Sequence, residues 1–165
     1  MTTDIKLRPV RRDDCKTIQK MFIEFGASEF GKYDPIEHTD DAHVLAFIEN
    51  MAKNHAIYAV TPTDSDGMIG YICFHIAEEG YDIGYMISSE YRGAGIAAAA
   101  RQAMEKMRDE RGAKVFTATV AAENVPSVRV LEKLGFSPVS EKRIKKEENG
   151  TTYFITERRY EKVFE

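Results

Sequence analysis

Two stretches of the chain hold residues whose types and spacing suit chemistry. The first is Tyr91-Arg92-Gly93-Ala94-Gly95-Ile96-Ala97. Glycine allows close backbone approach and positive φ. A helix start offers unpaired amide N–H groups that carry partial positive charge. A strand, a glycine-rich turn and a helix N-terminus together make a cradle for a pyrophosphate. Arg92 adds a full cation at its rim. A tight turn that needs glycine for packing is the plainer reading of the same residues. The second stretch runs from Glu123 to Phe136 and contains Asn124, Ser127, Lys133 and Gly135.

Elements must position these stretches. Ile5 to Arg8 reads as a strand closed by Pro9, and Asp13 or Asp14 can cap a helix carrying Cys15, Ile18, Phe22 and Phe25 at helical spacing, ending at Gly26. Ser28 to His38 is irregular; Thr39 is the expected cap of a second helix, with Asp40 and Asp41 suited to its dipole and Val44, Leu45, Ile48 and Met51 on its apolar face. Ala56–Val60, Met68–Ala77 and Tyr81–Ile87 then read as strands, antiparallel because their connections are too short for a crossover. A long helix from Ile96 ends at Arg111-Gly112, ahead of a strand at Lys114–Val120, a helix at Pro126–Leu134 and a hairpin of Phe136–Ile144 with Thr151–Tyr160. The strand after the long helix lies parallel to the one before it if this is a βαβ unit. The predicted fold is mixed α/β (α+β), with one domain over residues 1–165.

Composition narrows the classes. Hydrophobic residues make up 43% of 165, which supports an ordinary core and excludes a disordered chain or a disulfide scaffold. A net charge of −4 gives nucleic-acid binding no overall electrostatic support. No apolar run is long enough to span a bilayer, and Met1 to Lys6 lacks an apolar signal core, so a cytoplasmic protein with no membrane or nucleic-acid partner is expected. Gly93-Ala94-Gly95-Ile96-Ala97-Ala98 also matches the G-x-G-x-x-A dinucleotide fingerprint. That reading, a nicotinamide-dependent oxidoreductase, wants an acid about 20 residues on, at the end of the next strand. The distance falls near Gly112 and Ala113, before that strand begins, and the antiparallel meander is wrong for a doubly wound sheet.

Taken together, the two stretches resemble the GNAT superfamily of acetyl-CoA-dependent N-acetyltransferases, and most the branch with the ribosomal-protein N-terminal acetyltransferases. Arg92, Gly95 and Ala97 match the family's Arg-x-x-Gly-x-Gly/Ala loop; Asn124, Ser127, Lys133, Gly135 and Phe136 match its later helix; Leu7-Arg8-Pro9 and Ile83-Gly84-Tyr85 also fit. The resemblance implies a mostly antiparallel sheet flanked by helices, in which Tyr81–Ile87 and Lys114–Val120 splay apart to admit CoA. It implies that Met86, Ile87 and Ser88 line the pantetheine arm, and that Arg92, Gly93, Ala94, Gly95, Ile96 and Ala97 hold the pyrophosphate. Asn124 would bond the arm from the other side, with Ser127 and Lys133 as further binding residues, and a strand N–H near Met86 would face the oxyanion.

The implied chemistry is attack of a neutral amine on a thioester. Asp82 stands where relatives often carry an acid considered a base, on the strand face of Gly84 and Met86; a solvated strand-end carboxylate is the alternative. Many members place a tyrosine acid on the later helix, but the position after Val130 is Leu131. Ser127 is then the candidate donor to the departing thiolate, against a helix-start hydroxyl bonding backbone, and Tyr85 is the fallback. The missing tyrosine keeps a second reading open, a CoA-binding regulatory module without turnover. The early helices and their connector would form the acceptor side, where Glu24, Glu29, Asp34, Glu37, Asp40 and Asp41 outnumber Lys32 and suit a cationic amine. His38, His43, His55 and His75 share no metal-ligand spacing, so no metal is expected; Cys15 and Cys73 read as core thiols. A homodimer is left open.

Overall fold

A computed structural model describes residues 4–93 and 95–164. In chain order the elements are β1 (Ile5–Pro9), α1 (Cys15–Ala27), α2 (Asp41–Asn54), β2 (Ala56–Pro62), β3 (Gly70–Ala77), β4 (Gly80–Ile87), α3 (Ile96–Arg111), β5 (Val115–Ala121), α4 (Val125–Lys133), β6 (Ser137–Glu148) and β7 (Thr151–Val163). The seven strands form one sheet in the order β1-β2-β3-β4-β5-β7-β6. Every neighbouring pair is antiparallel except β4 and β5. The fingerprint reading fails here, because a doubly wound sheet would be mostly parallel.

The sheet has two greasy faces. On one, α3 and α4 bury Ala99, Ala103, Met104 and Leu131 against Ile72, Phe74, Ile83 and Phe116. On the other, α1 and α2 bury Ile18, Phe22, Val44 and Ile48 against Ile57, Tyr71 and Cys73. Strand alternation produces this division: Ile72 and Phe74 face one way, Tyr71 and Cys73 the other. Cys15 and Cys73 are buried free thiols, as expected, and burial pushes Cys73 up to about 12.

Helix starts differ from the reading in detail. Asp14 does not cap α1 with its side chain. Instead its carboxylate accepts from both terminal nitrogens of Arg8 at 2.9 Å and from the Arg11 amide at 2.7 Å. The α2 cap is Asp40, not Thr39, and it accepts from the His43 amide. One aspartate among three capping-type residues was enough to shift the boundary by a residue. The last hairpin is also longer than expected, reaching Glu148 and Val163.

Candidate active site

The parallel pair β4–β5 carries the site. Its register covers Tyr81 with Phe116 and Asp82 with Thr117, and nothing beyond among the described residues. The strands run on to Ile87 and Ala121 without pairing to each other, so the sheet forks after Asp82. Backbone direction within the fork follows from the β3 side. The Ser88 amide donates to the Ile69 carbonyl at 2.8 Å. Alternation of an antiparallel ladder then turns Ser88 and Met86 toward β3, and Ile83, Tyr85 and Ile87 toward the gap. Of the expected pantetheine contacts, Ile87 offers its backbone to the gap. Met86 has its backbone turned to β3, and Ser88 is engaged at both ends, its amide with Ile69 and its carbonyl with the Tyr91 amide at 2.9 Å.

At the mouth of the fork lies the start of α3. Gly95 caps it at φ 97° and Gly93 precedes it at φ 82°, left-handed backbone that a side chain would strain. No atom lies within 4 Å of a Cβ built on Gly93, so conformation rather than crowding demands glycine there. The first helical bond runs from the Ala99 amide to the Gly95 carbonyl at 2.9 Å. Among the described residues the amides of Ile96, Ala97 and Ala98 therefore have no intrahelical partner, which is the donor set a pyrophosphate needs. Arg92 is exposed beside them, and Glu24 of α1 ties the preceding turn through Ser89 Oγ at 3.0 Å. Ala94 lies outside the described residues.

The proposed acid and base stand on opposite faces of the sheet. Tyr85 packs on the α3/α4 face, and its hydroxyl donates to the Ser127 carbonyl at 2.9 Å and lies 2.9 Å from Ser127 Oγ. The hydroxyl of Ser127 thus meets a tyrosine and not the local backbone. Burial pushes Tyr85 up to about 12, against the opposing effect of Ser127, so the phenol keeps its proton. Asn124 caps α4 through its side-chain oxygen, 3.4 Å from the Ser127 amide, which sets the serine at the helix start. Leu131 is 1% exposed in the core, so the absent α4 tyrosine leaves no gap there. Lys133 ends α4 away from this cluster; its carbonyl accepts from Arg101 of α3 at 3.0 Å.

Asp82 sits at the crotch of the fork on the α1/α2 face. It accepts from Thr117 Oγ1 at 3.0 Å and pairs in register with His75 of β3. Burial raises its pKa, and the Thr117 hydrogen bond and the charges of His75 and Arg159 oppose that rise only in part. Burial also lowers His75, with the neighbouring His55 adding to the effect, its ring centroid 5.1 Å away. Thr117 was missed from sequence because parallel register leaves no local signal. His75 was within reach: a two-residue turn at Glu78-Glu79 fixes which residue opposes Asp82.

The expected acidic wall is thinner than its composition. Glu24 bonds Ser89, Asp40 bonds His43 at 2.7 Å, and Asp41 pairs with Lys16 at 2.8 Å. Glu29, Asp34 and Glu37 are exposed with no side-chain partner among the described residues. Asp34 is nevertheless raised in pKa by the protein around it. The long hairpin reaches the same region, where Tyr153 donates to the Lys32 carbonyl at 3.2 Å.

Comparison with known proteins gives this geometry a context. Residues 4–137 match the family model described as an acetyltransferase (GNAT) domain. A Bacillus subtilis (strain 168) protein described as an uncharacterized N-acetyltransferase, YnaD, is 31% identical over 130 residues, 76% of each chain. A ribosomal-protein-S5-alanine acetyltransferase from Vibrio fischeri superposes with a TM-score of 0.76 at 19% identity, covering 99% of this chain and 94% of that one. A spermidine N-acetyltransferase from Vibrio cholerae, solved with CoA and spermine, gives 0.75 at 19% identity over 95% and 94%.

Proposed function

Because this chain belongs to the GNAT acetyltransferase family and takes its acetyl group from acetyl-CoA, we propose that it moves that group to a primary amine by direct attack in a ternary complex within the β4/β5 fork. One observation carries this reading. The fork opens beside the α3 amides, with the carboxylate of Asp82 on one face and the Tyr85–Ser127 hydroxyls on the other. Acetyl-CoA would lie with its pyrophosphate on the α3 amides and its arm along the free edge of β4, bonded by Ile83, Tyr85 and Ile87 as a strand would be. The amine would enter from the α1/α2 face.

The steps follow from those positions. An ammonium must lose a proton before its nitrogen pair can attack. Asp82 would accept that proton directly or through water, with Thr117 holding the carboxylate and His75 offering a path to solvent. The nitrogen then bonds the thioester carbon, and an amide of the free β4 edge would meet the oxyanion. The attacking nitrogen gives up its extra proton to water or the departing sulfur, and the carbon–sulfur bond breaks with its electron pair on sulfur. The Ser127–Tyr85 pair would donate to that thiolate, whose intrinsic pKa of about 8.5 already makes it a fair leaving group. A tyrosine hydroxyl thus stands at Ser127 although α4 carries none, which weighs against a regulatory module without turnover.

The acceptor is inferred to be cationic. Exposed Glu29, Asp34 and Glu37 border the amine side, and the S5-alanine and spermidine enzymes of similar fold act on a protein and a polyamine respectively. CoA-thiol release from acetyl-CoA tests this with polyamines, aminoglycosides, free amino acids and peptides of varied N-termini. Release that depends on a cationic acceptor is expected. Acetyl-CoA binding with no acceptor-dependent release across the panel would favour the module.

A further inference from the structure

Apart from the fork, one group of side chains among the described residues brings together metal-binding atoms. His38, Asp40 and His43 each offer one ligand atom, and these atoms lie within 4.8 Å of one another. The grouping escaped the spacing test because His38 belongs to the irregular connector and His43 to the first turn of α2. We propose that these three residues bind a divalent cation of borderline softness, of the Zn2+, Ni2+ or Cu2+ kind, where the connector meets α2.

Three features support it. Two imidazoles and one carboxylate are a donor set that suits these metals better than Mg2+ or Ca2+. The histidine rings are already close: their centroids are 4.2 Å apart and their planes 18° apart, so a small ring rotation is all that separates them from a shared ion. Asp40 is fixed twice over by His43, through the amide as the α2 cap and through Nδ1 at 2.7 Å. That second contact already sets a carboxylate oxygen beside a ring nitrogen, and a bound ion would take the place of the proton between them. All three residues are exposed, so the ion has an entry path and water can complete its coordination. A bound cation would pin the end of the connector that carries Asp34 and Glu37.

Isothermal titration of tag-free, chelator-treated protein with ZnCl2 tests the site, with nitrogen-15 spectra of the histidine rings to locate it. The expected result is about one Zn2+ per chain, with the His38 and His43 rings shifted and those of His55 and His75 unmoved. H38A and H43A should each weaken binding at least tenfold or so. D40N should weaken it too while keeping the helix cap, because asparagine caps as well as aspartate; an unchanged melting curve confirms the fold. No saturable binding, or binding that survives H38A and H43A, overturns the proposal. Such surviving binding would shift the His55 and His75 rings instead.

Discussion

Ser127 and Tyr85 share a hydrogen bond that neither stretch of sequence announces. S127A should lower kcat about tenfold with the KM for acetyl-CoA nearly unchanged, the size of one hydrogen bond that matters in the transition state. Y85F should act in the same direction, and the double variant should fall short of the product of the two, since both act through one pair. Stopped-time thiol release on the three variants measures this. On the proposed reading Asp34 acts on acceptor binding. D34N should raise the KM for a cationic acceptor about fivefold, near 1 kcal/mol for an exposed charge, and leave kcat and neutral acceptors alone. Ser127 was legible because helix motifs are local. The sequence offers Tyr85 only as the fallback donor; its pairing with Ser127 was not legible, because it spans 42 positions of chain. Alternation did place Asp82 correctly with Gly84 and Met86, since that rule needs only the strand itself.

At the scale of elements, the fork depends on how β4 begins. Gly80 stands at φ 113°, and a Cβ there would run into the Val115 carbonyl oxygen at the start of β5. G80A should cost roughly 2–4 kcal/mol, from backbone strain and the displaced strand together. A urea midpoint lowered at constant slope would show it, and the variant should lose acetyl-CoA affinity as the fork deforms. A substitution of Gly67, where a Cβ would make only an ordinary 3.7 Å contact with Ser65 Oγ and φ is not positive, is the control. Element identity and order were readable throughout, because apolar periodicity and turn residues are local. Boundaries moved where two residues could do one job, as with Thr39 and Asp40 at α2. The depth of the fork was not readable, since it depends on where a parallel pair stops bonding.

For the molecule as a whole, acid stability and catalysis should part company. Burial pushes the Asp14 carboxyl up, but the hydrogen bonds of Arg8 and the Arg11 amide and the charges of both arginines outweigh it, and its pKa ends below the ordinary value. The stability it contributes is complete above the unfolded carboxylate pKa of about 3.9. It is lost as pH falls from there through the lower folded value. D14N should therefore cost about 2–3 kcal/mol near neutrality, and its melting curve should converge on that of the parent only in strong acid. Asp82 shifts the opposite way, raised by burial, so its ionisation is reached at a higher pH than that of an ordinary carboxylate. The central claim is that a carboxylate on the amine face drives attack on a thioester held in the fork, with the Tyr85–Ser127 hydroxyls on the other face. The most direct test is the pH dependence of kcat/KM for the parent and D82N, with acetyl-CoA affinity measured alongside. The parent should lose activity as pH falls through a pKa above the usual carboxylate range. D82N should bind acetyl-CoA normally, turn over about 100-fold or more slower, and lack that limb. A D82N profile of the same shape and height would contradict the account.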